Sequence, residues 1–368
     1  MRSRAFRRPN GRLTSNKPCP YGLAVDARHT LLEVLLVHRG LVVAIAGATG
    51  AVGEEMLAVL AESTLPVERV VPLASARSAG RTIEWRGEEV PVEVLGDDSF
   101  TGVDLALFSA GASISEQYAP KAVSAGAIVV DNSRAFRMHP EVPLVVPEVN
   151  APALAEHHGI IANPNCSTIQ MVVALAPLHA RAGLRRVVVS TYQAASGAGR
   201  AAMDELRDQT VALLNFREPP IKAFPRRLAF DVVPQIDRFE PDGFTREEHK
   251  MVNETRKIMG LPGLPVCATC VRVPVFIGHA CSVNAEFERP ITVSEAHAAL
   301  SDWPGIVVHA EPAPRPMADD VAGVDPVHVG RVRQDPSVPN GLALWVMADN
   351  LRKGAATNAV QIAEALAA

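Results

Sequence analysis

The 368-residue sequence predicts an α/β protein of two domains, a doubly wound parallel sheet followed by an α+β unit with a mixed sheet. Three observations support this prediction. An apolar run at 40–46 passes directly into a glycine-rich turn and then into a helical stretch. Similar apolar runs, each ending in small or polar residues, recur as far as residue 165. Beyond that point strand-like runs are separated by only a few helical stretches, which indicates a second sheet of mixed direction.

The bulk composition favours small-molecule chemistry. With 48% hydrophobic and 21% charged residues, the chain is typical of a globular protein and not of a fibre, a disordered chain or a membrane protein. Its formal net charge of −4 gives nucleic-acid binding no electrostatic support. The five cysteines are few and odd in number, and the sequence has no secretory signal, which indicates a reducing cytoplasm rather than a disulfide framework.

Residues 1–38 are strongly basic, since Asp26 and Glu33 are their only acidic residues. Their apolar run at 31–37 is short and interrupted by Glu33, unlike the core of a secretory signal. We interpret this segment as an extension outside the fold or as a start codon placed too early. An organelle-targeting segment is the alternative.

The first predicted strand, 40–46, runs into G-A-T-G-A-V-G at 47–53 and then into a helical stretch at 54–62. Glycines at such a turn permit close approach of the backbone to a pyrophosphate, which rests on the helix N-terminus. The spacing G-x-x-G-x-x-G is a variant of the usual dinucleotide fingerprint and predicts a Rossmann-type domain. A turn built only for packing is the alternative.

The second predicted strand, 67–73, ends in S-A-R-S-A-G-R at 75–81. An NAD-binding domain is expected to carry an Asp or Glu there to hold the ribose 2′-hydroxyl, whereas this chain has Arg77 between serines. A guanidinium suits a 2′-phosphate, so NADP is favoured over NAD. The alternative is a solvated basic loop.

Two further strands are predicted at 103–108 and 127–130, closing in the segments 109–112 and 131–137. Parallel strands present their ligand crevice at such carboxyl ends. We therefore assign residues 39–165 to an NADP-binding domain that residues 348–368 complete.

Cys166 lies in N-P-N-C-S-T at 163–168, directly before a helical stretch at 169–182. Asn163-Pro164 interrupts the preceding apolar run, so the cysteine is predicted at a helix N-terminus. The unpaired N–H groups there should lower a thiol pKa from about 8.5 and could hold an oxyanion. Cys166 is thus a candidate nucleophile, and a small buried hydrophobe is the alternative.

Residues 166–347 are assigned to a catalytic and dimerisation domain. A capping-box pattern, Thr245 with Glu248, predicts a helix at 246–259. Glu247, Lys250 and Glu254 share one face of it, and such a face is most often solvated. The lone C-x-x-C at 267–270 has no second ligand pair, so no metal site is predicted. The further predicted strands lie at 186–192, 270–275, 285–287, 306–308, 328–332 and 342–347.

An NADP domain combined with a cysteine nucleophile indicates acylating aldehyde dehydrogenase chemistry, in which a thiohemiacetal and a thioester interconvert by hydride transfer. Seven motifs in order also resemble one family, that of the aspartate-semialdehyde dehydrogenases, from about residue 40 to the end. They are G-A-T-G-A-V-G at 47–53, S-A-R-S-A-G at 75–80, N-P-N-C-S-T at 163–168, Q-A-A-S-G-A-G at 193–199, E-E-H-K at 247–250, R-V-P-V-F-I-G-H at 272–279 and D-N-L-R-K-G-A-A at 349–356.

This resemblance implies NADPH-dependent reduction of 4-phospho-L-aspartate to L-aspartate 4-semialdehyde and phosphate, on the route to lysine through diaminopimelate and to methionine, threonine and isoleucine. It implies Cys166 as the thioester nucleophile and His279 as the general acid/base. Gln193 would position the substrate. The other implied substrate ligands are Arg272 for the α-carboxylate, Glu247 for the amino group, and Arg137 and Lys250 for the phosphate. The implied cofactor residues are Gly47, Thr49, Gly50, Ala51, Val52, Gly53, Arg77, Ser78, Ser196, Gly197 and Asn350. The implied assembly is a homodimer or a dimer of dimers.

Two departures from the family pattern are Arg134, where the family often has a second serine, and Pro225-Arg226-Arg227 in a loop. N-acetyl-γ-glutamyl-phosphate reductase is an alternative with the same chemistry, but its cysteine loop typically reads N-P-G-C-Y. Here Asn165 and Ser167 flank the cysteine. A catalytically silent NADP-binding regulator is the alternative of another class, although the thiol, the imidazole and the cations are all retained.

Overall fold

The computed structural model describes residues 40–78, 80–310, 313 and 315–367. The basic segment 1–38, interpreted above as an extension, lies outside the described residues. Two six-stranded sheets and a small hairpin make up the β-structure of the described part.

The first sheet is parallel throughout, in the order β5-β2-β1-β6-β7-β8. The chain moves outward from β1 to one side and then returns to the other side with β6, which is the doubly wound arrangement that was predicted. Its strands are β1 (Leu41–Ala46), β2 (Val67–Ala74), β5 (Glu93–Val94), β6 (Leu105–Phe108), β7 (Ile128–Asp131) and β8 (Ile160–Ala162). The hairpin strands are β3 (Thr82–Trp85) and β4 (Glu88–Pro91).

Helices cover both faces of this sheet, as expected from strands such as β1 that are buried along their whole length. The helices of this part of the chain are α1 (Ala51–Glu62), α2 (Ala112–Ser124) and the short α3 (Pro147–Asn150). The carboxyl ends of β1, β6, β7 and β8 open onto one edge, where the loops that carry the predicted site residues lie.

The second sheet is mixed, in the order β10-β9-β11-β14-β13-β12, and this also agrees with the prediction. Only its two outer pairs are parallel. The strand expected at 270–275 instead covers 266–272, because Pro274 has no N–H for a sheet ladder. The strands are β9 (Leu184–Gln193), β10 (Val266–Arg272), β11 (His279–Phe287), β12 (Ile306–His309), β13 (Val327–Asp335) and β14 (Gly341–Ala348).

Helix α4 (Cys166–Ala182) precedes β9 and packs against β9, β11, β13 and β14 of this sheet. The capping box predicted for Thr245 and Glu248 is present at the start of α6. The remaining helices are α5 (Arg200–Leu214), α6 (Arg246–Ile258), α7 (Val293–Ser301) and α8 (Ala318–Val321).

The C-terminal segment returns to the first sheet. A π-helical turn at Arg352–Ala356 leads into α9 (Thr357–Ala367), whose apolar residues share a cluster with β1 and α1. The buried Lys353 ammonium donates to both carboxylate oxygens of Glu148, each 2.7 Å away, and so fixes the turn to α3. No helix of the described ranges has the length and apolar character needed to cross a bilayer.

Candidate active site

Cys166 is the first residue of α4, as its sequence context predicted. Asn165 caps this helix, since its Oδ1 accepts from the backbone N–H of Ser167 at 3.0 Å and of Thr168 at 3.2 Å. Gly354 packs against the cysteine so closely that a Cβ there would lie 2.9 Å from the Cys166 Cβ. The C-terminal turn therefore restricts one side of the thiol, and a larger residue at 354 would displace it.

The electrostatic setting of the thiol differs from the expected one. Burial, and after it the nearby Glu247 carboxylate, raise the pKa of Cys166 to about 11. Arg137, Arg272 and the backbone N–H of Ser167 act in the opposite direction but do not compensate. The helix N-terminus alone thus does not bring this pKa towards neutrality, and the free protein holds a protonated thiol.

A cavity of about 470 Å³ lies at the carboxyl edge of the first sheet, where it meets the second domain. It brings together side chains from segments that are far apart in sequence. Of the predicted substrate ligands and catalytic residues, its lining includes Cys166, Gln193, Glu247, Arg137, Lys250 and Arg272. Of the predicted cofactor residues, it includes Val52, Ser196, Gly197 and Asn350.

Glu247 is the centre of a hydrogen-bonded network at this cavity. Its Oε1 accepts from the side chains of Asn165 at 2.8 Å and Gln193 at 3.0 Å, and its Oε2 accepts from Lys250 at 2.9 Å. Burial opposes the ionised carboxylate, but the Lys250 ammonium and these hydrogen bonds lower the pKa of Glu247 to about 2. The carboxylate is therefore charged, although it is only 4% exposed. The helix face that carries it is buried rather than solvated.

Arg137 is held by a second carboxylate of the same helix. Its Nη1 donates to Glu254 at 3.0 Å and its Nη2 to the backbone oxygen of Asn132 at 2.9 Å. Glu254 also accepts from the backbone N–H of Asn165 at 2.6 Å. Asn165 therefore ties the start of α4 to Glu247 and Glu254 of α6, a structural role that the sequence did not indicate. The preference for Asn at helix N-caps was the available signal.

Arg272 ends β10 at the cavity and is 6% exposed. Its Nη1 donates to the backbone oxygen of Ala194 at 2.7 Å. Across the described part of the chain, no carboxylate forms an ion pair with this guanidinium. Its remaining N–H groups are available to an anionic ligand.

His279 is fully buried at the start of β11. Its Nδ1 accepts from the backbone N–H of Ala194 at 3.0 Å, while its Nε2 has no partner among the described residues. Burial, and then the charge of Arg272, lower the pKa of His279 to about 3. The imidazole is therefore neutral. Because Nδ1 accepts a hydrogen bond from an amide, the proton of the neutral ring resides on Nε2.

Gly197 separates His279 from Arg272 at the cavity wall. A Cβ at this position would lie 2.8 Å from His279 Nε2 and 2.8 Å from Arg272 Nη1. Only a glycine leaves both groups undisturbed. Arg272 lines the cavity, whereas His279 lies beside the lining residue Gly197 and is not itself part of the lining. Ser196, the preceding residue, donates its hydroxyl to Asn350 at 3.0 Å, and the backbone N–H of Gly278 donates to the same Asn350 oxygen at 3.0 Å.

The glycine loop has the features needed to hold a dinucleotide. Gly47 has φ +94°, and a Cβ on Gly53 would lie 2.1 Å from the Gly47 oxygen, so both positions require glycine. Helix α1 follows Gly50 with no side-chain cap, which leaves the N–H groups of its first turn free for a phosphate.

The loop after β2 lies beside the glycine loop. The hydroxyls of Thr49 and Ser78 are 3.2 Å apart. Arg77 is exposed on a short 3₁₀ turn, Ala76–Ser78. The predicted cofactor residues thus form two groups, one at these two loops and one at the cavity, and Val52 in the first turn of α1 links them.

Comparisons with known proteins agree with this architecture. A family described as "Semialdehyde dehydrogenase, NAD binding domain" matches residues 42–157, and "Semialdehyde dehydrogenase, dimerisation domain" matches residues 175–353. The chain is 52% identical over 330 residues to an aspartate-semialdehyde dehydrogenase of Aquifex aeolicus, covering 88% of this chain and 97% of that protein. It is 51% identical to one of Bacillus subtilis, with 89% and 98% covered.

Solved structures give the same result. Aspartate semialdehyde dehydrogenase II from Vibrio cholerae matches with a TM-score of 0.88 at 49% identity, over 89% of this chain and 98% of that one. The same values hold for its structure complexed with ASA. An aspartate semialdehyde dehydrogenase with NADP from Candida albicans matches with a TM-score of 0.68 at 25% identity, over 89% and 98% of the two chains.

Proposed function

The chain belongs to the aspartate-semialdehyde dehydrogenase family, and from this membership we propose that it reduces 4-phospho-L-aspartate to L-aspartate 4-semialdehyde and phosphate with NADPH, reversibly. The reaction serves the biosynthesis of lysine, methionine, threonine and isoleucine. The single observation that carries the proposal is the cavity that brings together a thiol, an arginine without a paired carboxylate and Val52 of the glycine loop, with the buried imidazole of His279 beside Gly197 of its lining. The assay that tests it is reduction of NADP by aspartate semialdehyde, which must depend on added phosphate. Turnover without phosphate would contradict it.

We propose that Cys166 attacks the acyl phosphate, so that a carbon–sulfur bond forms, the carbon–oxygen bond to phosphate breaks, and a thioester results. Bound NADPH supplies the hydride that reduces this thioester. The raised pKa of Cys166 requires that substrate binding favours the thiolate. A substrate ammonium at Glu247 would offset the carboxylate that raises the thiol pKa, and a phosphate oxygen is one acceptor for the thiol proton.

The tautomer of His279 supports a narrower role than general acid/base catalysis. With its proton on Nε2, the neutral ring can donate a hydrogen bond to the oxygen that becomes negative as the thioester carbonyl is attacked by hydride. This tetrahedral species collapses to aldehyde and thiolate without any proton transfer to the imidazole. We therefore propose that His279 stabilises the oxyanion as a neutral donor.

The substrate amino acid would be held by two charged groups. Arg272 has unused N–H groups and no paired carboxylate, which suits a bidentate grip on an α-carboxylate. Glu247 is ionised and held in place by Asn165 and Gln193, which suits an ammonium group. We propose Arg137 and Lys250 as ligands of the phosphate.

The first prediction concerns Arg272→Lys. The lysine keeps the charge but loses the planar fork, so kcat/KM should fall by roughly 10- to 150-fold, or about 1.5 to 3 kcal/mol. Steady-state kinetics with aspartate semialdehyde measure the effect. The matched control is Arg185→Lys, which changes an exposed residue near the start of β9 and should leave kcat/KM unchanged. An unaltered value for Arg272→Lys would remove this residue from the site.

We propose NADP, rather than NAD, as the physiological cofactor. Arg77 is exposed beside Ser78 and has no partner in the described structure, so a ribose 2′-phosphate could reach it. Charge-assisted hydrogen bonds of this kind contribute about 1.5 to 3 kcal/mol, a preference of at least about an order of magnitude for NADPH over NADH.

The second prediction is that Arg77→Ala removes most of this preference. The loss should appear as weaker NADPH use with little change for NADH, because only NADPH carries the 2′-phosphate. The measurement is kcat/KM for both cofactors in wild type, in Arg77→Ala and in the control Arg81→Ala, whose exposed side chain follows the same turn. Equal loss with both cofactors would show that Arg77 does not read the 2′-phosphate.

The match to a dimerisation domain supports an oligomer, and we propose a homodimer or a dimer of dimers in the cytoplasm. The four cysteines within the described residues form no disulfide, which fits this compartment.

A further inference from the structure

Arg134 is a cavity residue that the proposed catalytic roles do not use. It follows β7 in a segment with a fixed backbone. The carboxylate of the buried Asp131 accepts from the Ser133 N–H at 3.0 Å and from the Ser133 hydroxyl at 2.8 Å, and the Ser133 hydroxyl accepts from the Ala135 N–H at 3.1 Å. The backbone is therefore held on both sides of Arg134. Its side chain lines the cavity and is exposed.

The other cavity cations on the phosphate side are already engaged. Arg137 pairs with Glu254, and Lys250 pairs with Glu247 at 2.9 Å and Asp237 at 3.2 Å. In contrast, no hydrogen bond or ion pair involves the Arg134 side chain within the described ranges. A phosphate can therefore reach the guanidinium of Arg134 without displacing a carboxylate.

The charge balance of the cavity leads to the same residue. The cavity is lined by three basic residues besides Arg134, namely Arg137, Lys250 and Arg272. Three acids pair with Arg137 and Lys250, so these acids equal the three basic residues in number. Arg134 supplies the surplus positive charge. This charge would balance the phosphoryl group of the substrate, whose carboxylate and ammonium charges cancel each other.

We infer that Arg134 binds the phosphoryl group of the substrate, and inorganic phosphate in the reverse direction, as the recruiting cation at the cavity mouth. This inference rests on the proposed function. Phosphate groups of the cofactor share the same chemistry. The substrate phosphate is favoured because Arg134 shares one short segment with Arg137, the residue proposed for that group.

The test measures NADP reduction by aspartate semialdehyde as a function of phosphate concentration. Arg134→Ser, which installs the residue common in the family, should raise KM for phosphate about tenfold and leave kcat nearly unchanged. KM for aspartate semialdehyde and for NADP should stay within about twofold of wild type. Arg134→Lys should lie between wild type and Arg134→Ser, since it retains the charge. Arg226→Ser, an exposed loop arginine outside the cavity lining, is the control.

Ionic strength gives a second readout. Salt should raise KM for phosphate less steeply in Arg134→Ser than in wild type, because screening acts on the charge that was removed. An unchanged KM for phosphate in Arg134→Ser, with an active wild-type protein, would overturn the inference and leave the proposed function intact. A raised KM for NADP alone would also overturn it and assign Arg134 to the cofactor. Wild-type turnover that is independent of phosphate would overturn the proposed function and this inference with it.

Discussion

Cys166→Ala is expected to lower kcat by about 10⁴- to 10⁶-fold, because no thioester can form without the thiol. The NADPH dissociation constant should remain close to that of wild type. The glycine loop at 47–53 belongs to the first sheet, and removal of one sulfur at the start of α4 leaves the Asn165 cap in place.

Two measurements check this result. Single-turnover kinetics give the loss of chemistry, and fluorescence titration gives the dissociation constant of NADPH. Mass spectrometry of the wild-type protein after mixing with the acyl phosphate should show an adduct on Cys166 only. Cys267→Ala is the matched control, since that thiol is exposed and remote in sequence from α4. Normal turnover by Cys166→Ala would show that another group is the nucleophile.

His279→Ala is expected to lower kcat by about 10²- to 10⁴-fold. His279→Gln should recover part of this loss, because an amide can still donate a hydrogen bond from the place of Nε2. A group that shuttled a proton could not be replaced in this way. His297→Gln, a partly exposed histidine on α7, is the control.

The pH dependence separates the two roles of His279. Its pKa lies at about 3, well below the usual value for histidine, so the ring is neutral throughout the range of pH 5 to 9. The pH profile of kcat/KM, which reports groups of the free protein, should therefore contain no acidic limb near pH 6.5 that disappears in His279→Gln. Such a limb in wild type, lost in the variant, would mean that the imidazole titrates and acts as a general base.

Most elements of the fold could be predicted because their signals are local. The strand at 41–46, the glycine turn after it and the start of α4 at Cys166 are each encoded within about ten residues. The same holds for the capping box at Thr245 and Glu248. The extents of strands such as β10 and β11 were less accurate, since they depend on pairing with distant strands.

The electrostatics of the site could not be read from local sequence. The pKa of Cys166 depends on its burial, to which Gly354 contributes, and on the nearby carboxylate of Glu247. The fold brings Glu247 into contact with Asn165, the neighbour of Cys166, although the two are 82 residues apart in sequence. The burial of Glu254 could not be predicted either. Its helical spacing with Glu247 was visible in the sequence, but such spacing is typical of a solvated face. Only the contact of α6 with α4 shows that both acids are buried.

The return of the C-terminal segment has a consequence for protein synthesis. On a translating ribosome, β1 and α1 emerge long before α9, whose residues Val360 and Ile362 bury the same apolar face. Until this segment has been synthesised, that face lacks the apolar cover that α9 provides. The final stretch also delivers Asn350 and Gly354 to the cavity. The same segment thus both closes the first core and completes the cavity lining, so neither can form before this segment has been synthesised.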